Sequence, residues 1–242
     1  KAFARAARCA LDAGGGARGG AGPRAKRIRT AAPPPEAVRA STQSRATKET
    51  SIEVKLELDA PQARVAIDTG LKTLDSMLGS LVKKVPALSL DLRCRGDTHI
   101  DDHHSAEDVA IALGQCINAA LGSKAGCTRM GFHEAGAAGA KVTVVMDLSN
   151  RPHFEHNLDF GPHEMADDVS CEMVVHALDS LSTAARMTVH VLYEAAADAS
   201  ELEPSSLACL VCEAWGAAFA ACCAIDPRRR GSVTSSKGTL SA

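Results

Sequence analysis

The amino-acid sequence predicts an α+β fold in which two similar halves form a layered sandwich, with helices packed on the sheets. Segments that alternate apolar and polar residues, as half-buried strands do, are interspersed with longer apolar segments of helical composition. The order strand, strand, helix, strand, helix then occurs twice. Such a repeat indicates an internally duplicated chain in which strands and helices are segregated into layers.

The first half, residues 45–130, begins with a clear strand signal. Every second residue from Ile52 to Leu58 is apolar and the residues between them are polar, as in a strand with one buried face. The further elements predicted in this half are a strand at 64–68, a helix at 70–83, a strand at 88–94 and a helix at 105–121.

The second half, residues 131–242, repeats this order. Its predicted elements are a strand at 141–148, a strand near 154–160, a helix at 164–181, a strand at 187–193 and a helix at 206–225. The last helix contains the most apolar run of the chain, but Glu213 interrupts it, and a lipid-facing carboxylate would be costly in a membrane. We therefore expect a buried helix and no membrane partner.

Residues 1–44 form a low-complexity segment rich in Ala, Arg, Gly and Pro, with only Asp12 and Glu36 acidic. This bias is typical of flexible segments and of transit peptides, although residues 1–12 have a helix-forming composition. The segment is interpreted either as transit-like or as the tail of a preceding domain. A transit peptide would place the protein in a plastid, and otherwise we expect a cytoplasmic protein.

Composition narrows the class of partner. The formal net charge is -2 and the chain has one Trp and one Tyr, whereas a nucleic-acid binder would show a basic face and stacking aromatic residues. The nine Cys have no regular spacing, which argues against a disulfide framework. We therefore expect a small-molecule partner, no nucleic acid, and free thiols.

A candidate metal motif lies at the start of the second predicted helix. Glu107 is four residues after His103 and three after His104, so each imidazole can lie on the same side of a helix as the carboxylate. Adjacent histidines leave a helix about 100° apart, which suits two metal centres. Asp101, Asp102 and Asp108 are available to accept ring N–H groups. The alternative is a polar helix start capped by Asp102.

Six motifs, in collinear order from Arg45 to the C-terminus, resemble those of the imidazoleglycerol-phosphate dehydratases. The longest is GDTHIDDHHSAEDVAIALG, at residues 96–114. The others are RATKET at 45–50, TG and LDSM within 69–77, DLSNRP at 147–152, TVH at 188–190 and SSKGTL at 235–240.

The resemblance implies a hydro-lyase that removes water from imidazole glycerol phosphate to give imidazole acetol phosphate in histidine biosynthesis. It also implies two Mn ions per site and a homo-oligomer whose metal sites lie between chains. The metal ligands that it implies are His103, His104, Glu107, His190 and Glu213. Glu49 is implied as the substrate-binding acid/base residue, and the phosphate-binding residues implied are Arg129, Arg151, Ser235 and Lys237.

The chain departs from the family pattern at the metal ligands. Ser76 stands where the family has the histidine of LDHM, and Cys209 and Leu210 stand where it has a second histidine pair. Two complete octahedral sites cannot be built from the ligands that remain. Because family sites are shared between chains, the missing ligands could come from an intact family subunit in a mixed oligomer or from a neighbouring domain. Either the chain is a dehydratase of reduced or partner-dependent activity, or it is a catalytically inactive or partner-dependent member with a structural or regulatory role.

The spacing of Cys209 and Cys212 is also compatible with a thiolate Zn site. Both residues lie on an apolar predicted helix, where cysteine commonly behaves as a small buried apolar residue. We favour that interpretation.

Overall fold

The computed structural model describes residues 38–96, 102–195, 202–229 and 231–240, and the fold is that of these residues. The helix predicted at residues 1–12 and the candidate acceptor Asp101 lie outside them.

The first half forms a four-stranded sheet and two helices. Its elements are β1 (Ala40–Ala46), β2 (Thr50–Glu57), β3 (Val65–Asp68), α1 (Lys72–Lys83), β4 (Ser89–Gly96) and α2 (His103–Leu121). The strand order is β1-β2-β4-β3. Neighbouring strands are antiparallel except β3, which runs parallel to β4.

The second half repeats this topology. Its main elements are β5 (Met130–Ala137), β6 (Ala140–Asp147), β7 (His153–His156), α3 (Cys171–Ala184), β10 (Thr188–Ala195) and α4 (Pro204–Cys223). A short hairpin, β8 (Met165–Ala166) and β9 (Val169–Ser170), precedes α3. The sheet order is β5-β6-β10-β7, and only β7 and β10 are parallel. The predicted α+β class and its internal duplication are confirmed.

The four helices pack on the buried faces of the two sheets. Helix α2 lies against β1 and β2, and α4 lies against β5 and β6. The helices also pair across the halves, since α2 packs on α3 and α1 packs on α4. Alternating strand residues and the inward helix faces form one contiguous apolar core, which includes Trp215 and Phe219 of α4.

Helix α4 belongs to this core. By length and composition it would pass as a membrane span, with a mean hydropathy of 1.7 over its most apolar window, but 67% of that window is buried inside the fold. The expectation of a buried helix agrees with this packing.

Both halves contain a strand that the sequence pattern does not reveal. These are β1 and β5, each at the edge of its sheet, and most of their residues are exposed or half-buried. An edge strand with little buried surface does not need alternating apolar residues, so the pattern that revealed β2 is missing. Strand β1 also begins inside the segment assigned to low complexity.

Two predicted boundaries were also wrong. The helix expected from residue 164 begins only at Cys171, because β8 and β9 form a hairpin before it. Asp167 turns that hairpin with a φ of 55°, and Ser170 caps the helix by accepting a hydrogen bond from Met173 N. The strand expected near 154–160 spans His153–His156.

Candidate active site

The start of helix α2 carries a cluster of possible metal ligands. His103 and Glu107 lie one turn apart, with His103 Nε2 3.6 Å from Glu107 Oε2. His176 of α3 brings its Nε2 atom to 3.3 Å from Glu107 Oε1. The three ligand atoms all lie within 4.8 Å of one another. We call His103, Glu107 and His176 the α2–α3 cluster.

The α2–α3 cluster has the donors and spacing that a divalent ion needs. Ligand atoms about 2.1 Å from an ion lie about 3.0–4.2 Å apart when they share an octahedron. The two separations measured from Glu107 fall in this range. Two imidazoles and a carboxylate favour Mn, Fe or Zn over Ca. These three side chains could therefore hold one such ion.

The His104 ring stands edge-on to that of His103. The His103 and His104 ring centroids are 6.1 Å apart, with the rings at 71° to each other, and His104 is not a member of the α2–α3 cluster.

The carboxylates beside this motif have roles other than those predicted. Asp102 Oδ2 accepts a 2.6 Å hydrogen bond from Ser170 N, which ties the start of α2 to the start of α3. Its side chain makes no capping bond to α2. Asp108 accepts from Arg45 Nε at 2.7 Å and from Thr50 Oγ1 at 2.6 Å. In the structure, therefore, these two carboxylates do not orient the imidazole rings.

Burial raises the pKa of Asp108, but the hydrogen bonds from Thr50, Arg45 and Thr47 outweigh it and lower the pKa overall. Asp108 is thus held as a carboxylate. Because Asp108 follows Glu107 directly, its bonds hold the β1–β2 loop beside the turn of α2 that carries His103 and Glu107. Glu49 lies exposed on that loop, with its N–H bonded to Thr47 Oγ1.

The predicted phosphate ligands divide into two groups. Arg129 is buried and forms a two-pronged bond to Asp147, at 2.6 and 2.9 Å. Its Nη1 also donates to Thr234 O at 2.6 Å, which brings the segment containing Ser235 and Lys237 against Arg129. Arg151 is exposed instead, and its carbonyl oxygen accepts bonds from Ser149 and Thr188 hydroxyls.

Two predicted metal ligands lie apart from the α2–α3 cluster. His190 is exposed on β10 between the buried Val189 and Val191, so it projects from the open face of the second sheet. Its ring centroid is 5.4 Å from that of His153. Glu213 of α4 forms an ion pair with Lys84, at the end of α1. The chain by itself does not bring the five predicted ligands together.

Comparison with known proteins identifies the family. The sequence model described as imidazoleglycerol-phosphate dehydratase matches residues 69–209. The imidazoleglycerol-phosphate dehydratase of Gloeobacter violaceus is 37% identical over 202 residues, which cover 84% of this chain and 98% of the relative. The chain belongs to the imidazoleglycerol-phosphate dehydratase family.

A further relative agrees with this assignment, and two solved structures share the fold. The chloroplastic imidazoleglycerol-phosphate dehydratase of Pisum sativum is 37% identical over 197 residues, covering 81% of this chain and 67% of the relative. The crystal structure of the Pyrococcus furiosus protein superposes with a TM-score of 0.65 at 23% identity, covering 81% of this chain and 99% of that one. The Staphylococcus aureus structure gives a TM-score of 0.60, also at 23% identity, over 74% of this chain and 97% of that one. The two structures support the fold.

The positions where this family member lacks the expected histidines lie together. Ser76 of α1 and Cys209 of α4 line one pocket of about 550 Å³. Asp168 lines the same pocket. Its carboxylate accepts hydrogen bonds from the N–H groups of Lys72 and Thr73 at 2.6 and 2.9 Å, and it therefore caps the start of α1.

Burial raises the pKa of the Cys209 thiol, which disfavours the thiolate form that metals bind. Burial raises the pKa of Cys212 still further. Within the described part of the chain, the α2–α3 cluster has three ligand atoms within reach of one ion, and no such group contains these cysteines. Cys212 is buried in the apolar core, and Cys209 is half-buried against it.

The sequence indicates no special role for His176. His176 does not belong to the HHxxE motif. Only the packing of α3 on α2 brings the residue to Glu107.

Proposed function

We propose that this chain catalyses the dehydration of imidazole glycerol phosphate to imidazole acetol phosphate in histidine biosynthesis. Membership of the family supports the reaction class. The observation that carries the proposal is that Asp108 bonds to Arg45 and Thr50. These bonds hold the loop that bears Glu49 against the helical turn that bears Glu107.

His103, His104 and Glu107 would hold Mn, with His190 and Glu213 as the further ligands implied by the family pattern. When bound, the metal would act as a Lewis acid that fixes and polarises the imidazole ring of the substrate. Glu49 is exposed and carried on an anchored loop, so it suits the transfer of the carbon-bound proton.

Arg151, Ser235 and Lys237 would bind the phosphate group. A guanidinium, a hydroxyl and an ammonium are donors that neutralise and orient a dianion. Arg129 would act mainly by positioning Ser235 and Lys237, since its own guanidinium is already paired with Asp147.

The placement of His190 and Glu213 supports an oligomeric enzyme. Both lie away from the α2–α3 cluster of their own chain, so a neighbouring subunit would bring them to a site. We infer a homo-oligomer, or a mixed oligomer with an intact family subunit, holding two Mn ions per site. The chloroplastic relative and the composition of residues 1–44 support a plastid location.

The test is turnover by the purified chain supplied with imidazole glycerol phosphate and saturating Mn, after its assembly state has been measured by light scattering. We expect Mn-dependent formation of imidazole acetol phosphate, lost in Glu49→Gln and retained in Glu53→Gln, an exposed carboxylate on β2. No turnover, either alone or mixed with an intact family subunit, would show an inactive family member instead.

A further inference from the structure

We propose that Lys124 is a positioning residue for the phosphate-binding Arg151, because its buried ammonium holds the Asn150 side chain and thereby the turn that carries the arginine. Its effect on substrate binding rests on the proposed function, but its effect on the turn does not. Lys124 follows helix α2 and lies outside every motif by which the chain resembles its family. That resemblance therefore assigns it no role.

Lys124 is a charged side chain buried inside the fold. Only 1% of its surface is exposed, and it is among the largest fully buried side chains of the described residues. A buried ammonium is costly unless its N–H groups are bonded. Lys124 Nζ donates to Oδ1 of Asn150, a neutral acceptor 26 residues later in the sequence. The contact thus joins the loop after α2 to the loop after β6.

Asn150 is held both by its side chain and by its main chain. Its φ of 58° lies in the left-handed region, which glycine and asparagine adopt more readily than other residues. Besides the bond from Lys124 to the side chain, Arg186 Nη2 donates to the Asn150 carbonyl oxygen at 3.1 Å. Two cations, one following α2 and one following α3, therefore fix the residue that precedes Arg151.

The same turn fixes the backbone of Arg151 and leaves its side chain exposed. Arg151 N donates to Ser149 Oγ at 3.0 Å, and the Arg151 carbonyl oxygen accepts from the Ser149 and Thr188 hydroxyls at 2.9 and 2.8 Å. A fixed backbone beneath an exposed arginine lowers the entropy that is lost when an anion binds. Because Lys124 is buried, it acts through Asn150 and not by contact with the phosphate.

The charges around Lys124 make its hold on Asn150 depend on pH. Burial, with smaller contributions from the nearby cations Arg186 and Arg129, lowers the pKa of Lys124 to about 8, although Cys127 and Asp147 act in the opposite direction. The side chain is an ammonium below about pH 8 and a neutral amine above it. A charged donor forms the stronger hydrogen bond. The turn should therefore be held best below about pH 8.

Two variants test the contact without reference to turnover. Lys124→Met replaces the ammonium by an apolar side chain of similar length, and Asn150→Gly removes the acceptor while keeping the φ of 58° accessible. In hydrogen–deuterium exchange of the full chain, the segment 147–152 should exchange roughly fivefold faster or more in both variants. Lys55→Met, at an exposed position on β2, is the matched control and should leave this exchange unchanged. Thermal melts check that each variant is folded.

Ligand binding tests the positioning role. With imidazole glycerol phosphate, Lys124→Met should raise KM roughly tenfold and change kcat by less than about twofold. The KM of the wild type should rise above about pH 8, whereas that of Lys124→Met should not. Inorganic phosphate, titrated by calorimetry, should bind roughly tenfold more weakly to Lys124→Met than to the wild type. Adding Lys124→Met to Asn150→Gly should have little further effect, because the two residues act as a unit.

The outcomes separate this role from the dehydratase reaction. Unchanged exchange of segment 147–152 in Lys124→Met, unchanged phosphate affinity, or additive effects of the two substitutions would each overturn the proposal. A loss confined to kcat would also overturn it. If the wild type shows no turnover, faster exchange together with weaker phosphate binding in Lys124→Met upholds the role of Lys124 and counts against the dehydratase proposal alone.

Discussion

Arg45 and Asp108 form a close ion pair, in which Nε and Nη2 each lie 2.7 Å from Oδ1. Thr50 Oγ1 donates to the other carboxylate oxygen at 2.6 Å. The pair joins the β1–β2 loop to helix α2, so two motifs far apart in the sequence form one structural unit.

Replacing Asp108 should loosen this unit. Asp108→Asn removes the charge from a buried carboxylate that Arg45 and Thr50 both contact, and we expect the free energy of unfolding to fall by about 2–3 kcal/mol in urea titrations. Asp91→Asn is the control, because its pair with Arg93 is exposed and should contribute less than about 1 kcal/mol. Equal losses in the two variants would contradict a special role for Asp108.

Acid should remove the stability that Asp108 contributes. Its pKa lies below the ordinary value of 3.8 in the folded protein, so the unfolded chain takes up the proton first as the pH falls. The contribution is complete above about pH 4 and is lost as the pH falls through the lower folded pKa. The difference in unfolding free energy between wild type and Asp108→Asn should therefore shrink below about pH 4. A difference that stays constant on further acidification would refute this origin.

Two helical glycines should respond in opposite directions to alanine. A Cβ on Gly216 of α4 would lie 2.0 Å from Leu81 O of α1, so Gly216→Ala should separate these helices and cost about 2–3 kcal/mol of unfolding free energy. A Cβ on Gly79 of α1 would meet no atom within 4 Å, and Gly79→Ala should stabilise by about 0.5–1 kcal/mol. Thermal melts of both variants test this, and a stable Gly216→Ala protein would show that α1 and α4 are not in close contact.

Alkaline pH should destabilise the fold through its buried thiols. Burial raises the pKa of Cys223 to about 12 and that of Cys94 to about 11, against an ordinary value of 9.0. The unfolded chain therefore loses these protons first, and the stability they contribute is complete below about pH 9 and lost as the pH rises toward the folded values. Cys223→Ala should flatten the fall in unfolding free energy between about pH 9 and about pH 11. An unchanged slope would exclude this thiol as its source.

Arg129→Lys should affect substrate binding more than chemistry. Lysine keeps the charge but cannot reproduce the two-pronged bond to Asp147 together with the bond to Thr234, so the segment bearing Ser235 and Lys237 should lose its support. We expect KM to rise roughly tenfold with a smaller change in kcat. Arg93→Lys, at an exposed position, should leave both unchanged. A fall confined to kcat would place Arg129 at the reacting atoms instead.

The central elements of the fold followed from local patterns. Strand β2 shows strict alternation because one of its faces meets the core, and Val54 within it is fully buried. Helix α4 is apolar because it lies between a sheet and α1. The edge strands β1 and β5 carry no such pattern, since little of their surface is buried.

The sequence alone determined the family, the duplicated architecture and the shared face of His103 and Glu107, because these depend on ordered motifs and on helical spacing. It could not reveal His176, nor the pairing of Asp108 with Arg45, nor the meeting of Ser76 and Cys209 in one pocket. Each of these joins residues that are distant in the chain. Their approach depends on how whole helices and strands pack, because the burial of apolar faces sets where each element lies and therefore which polar side chains meet.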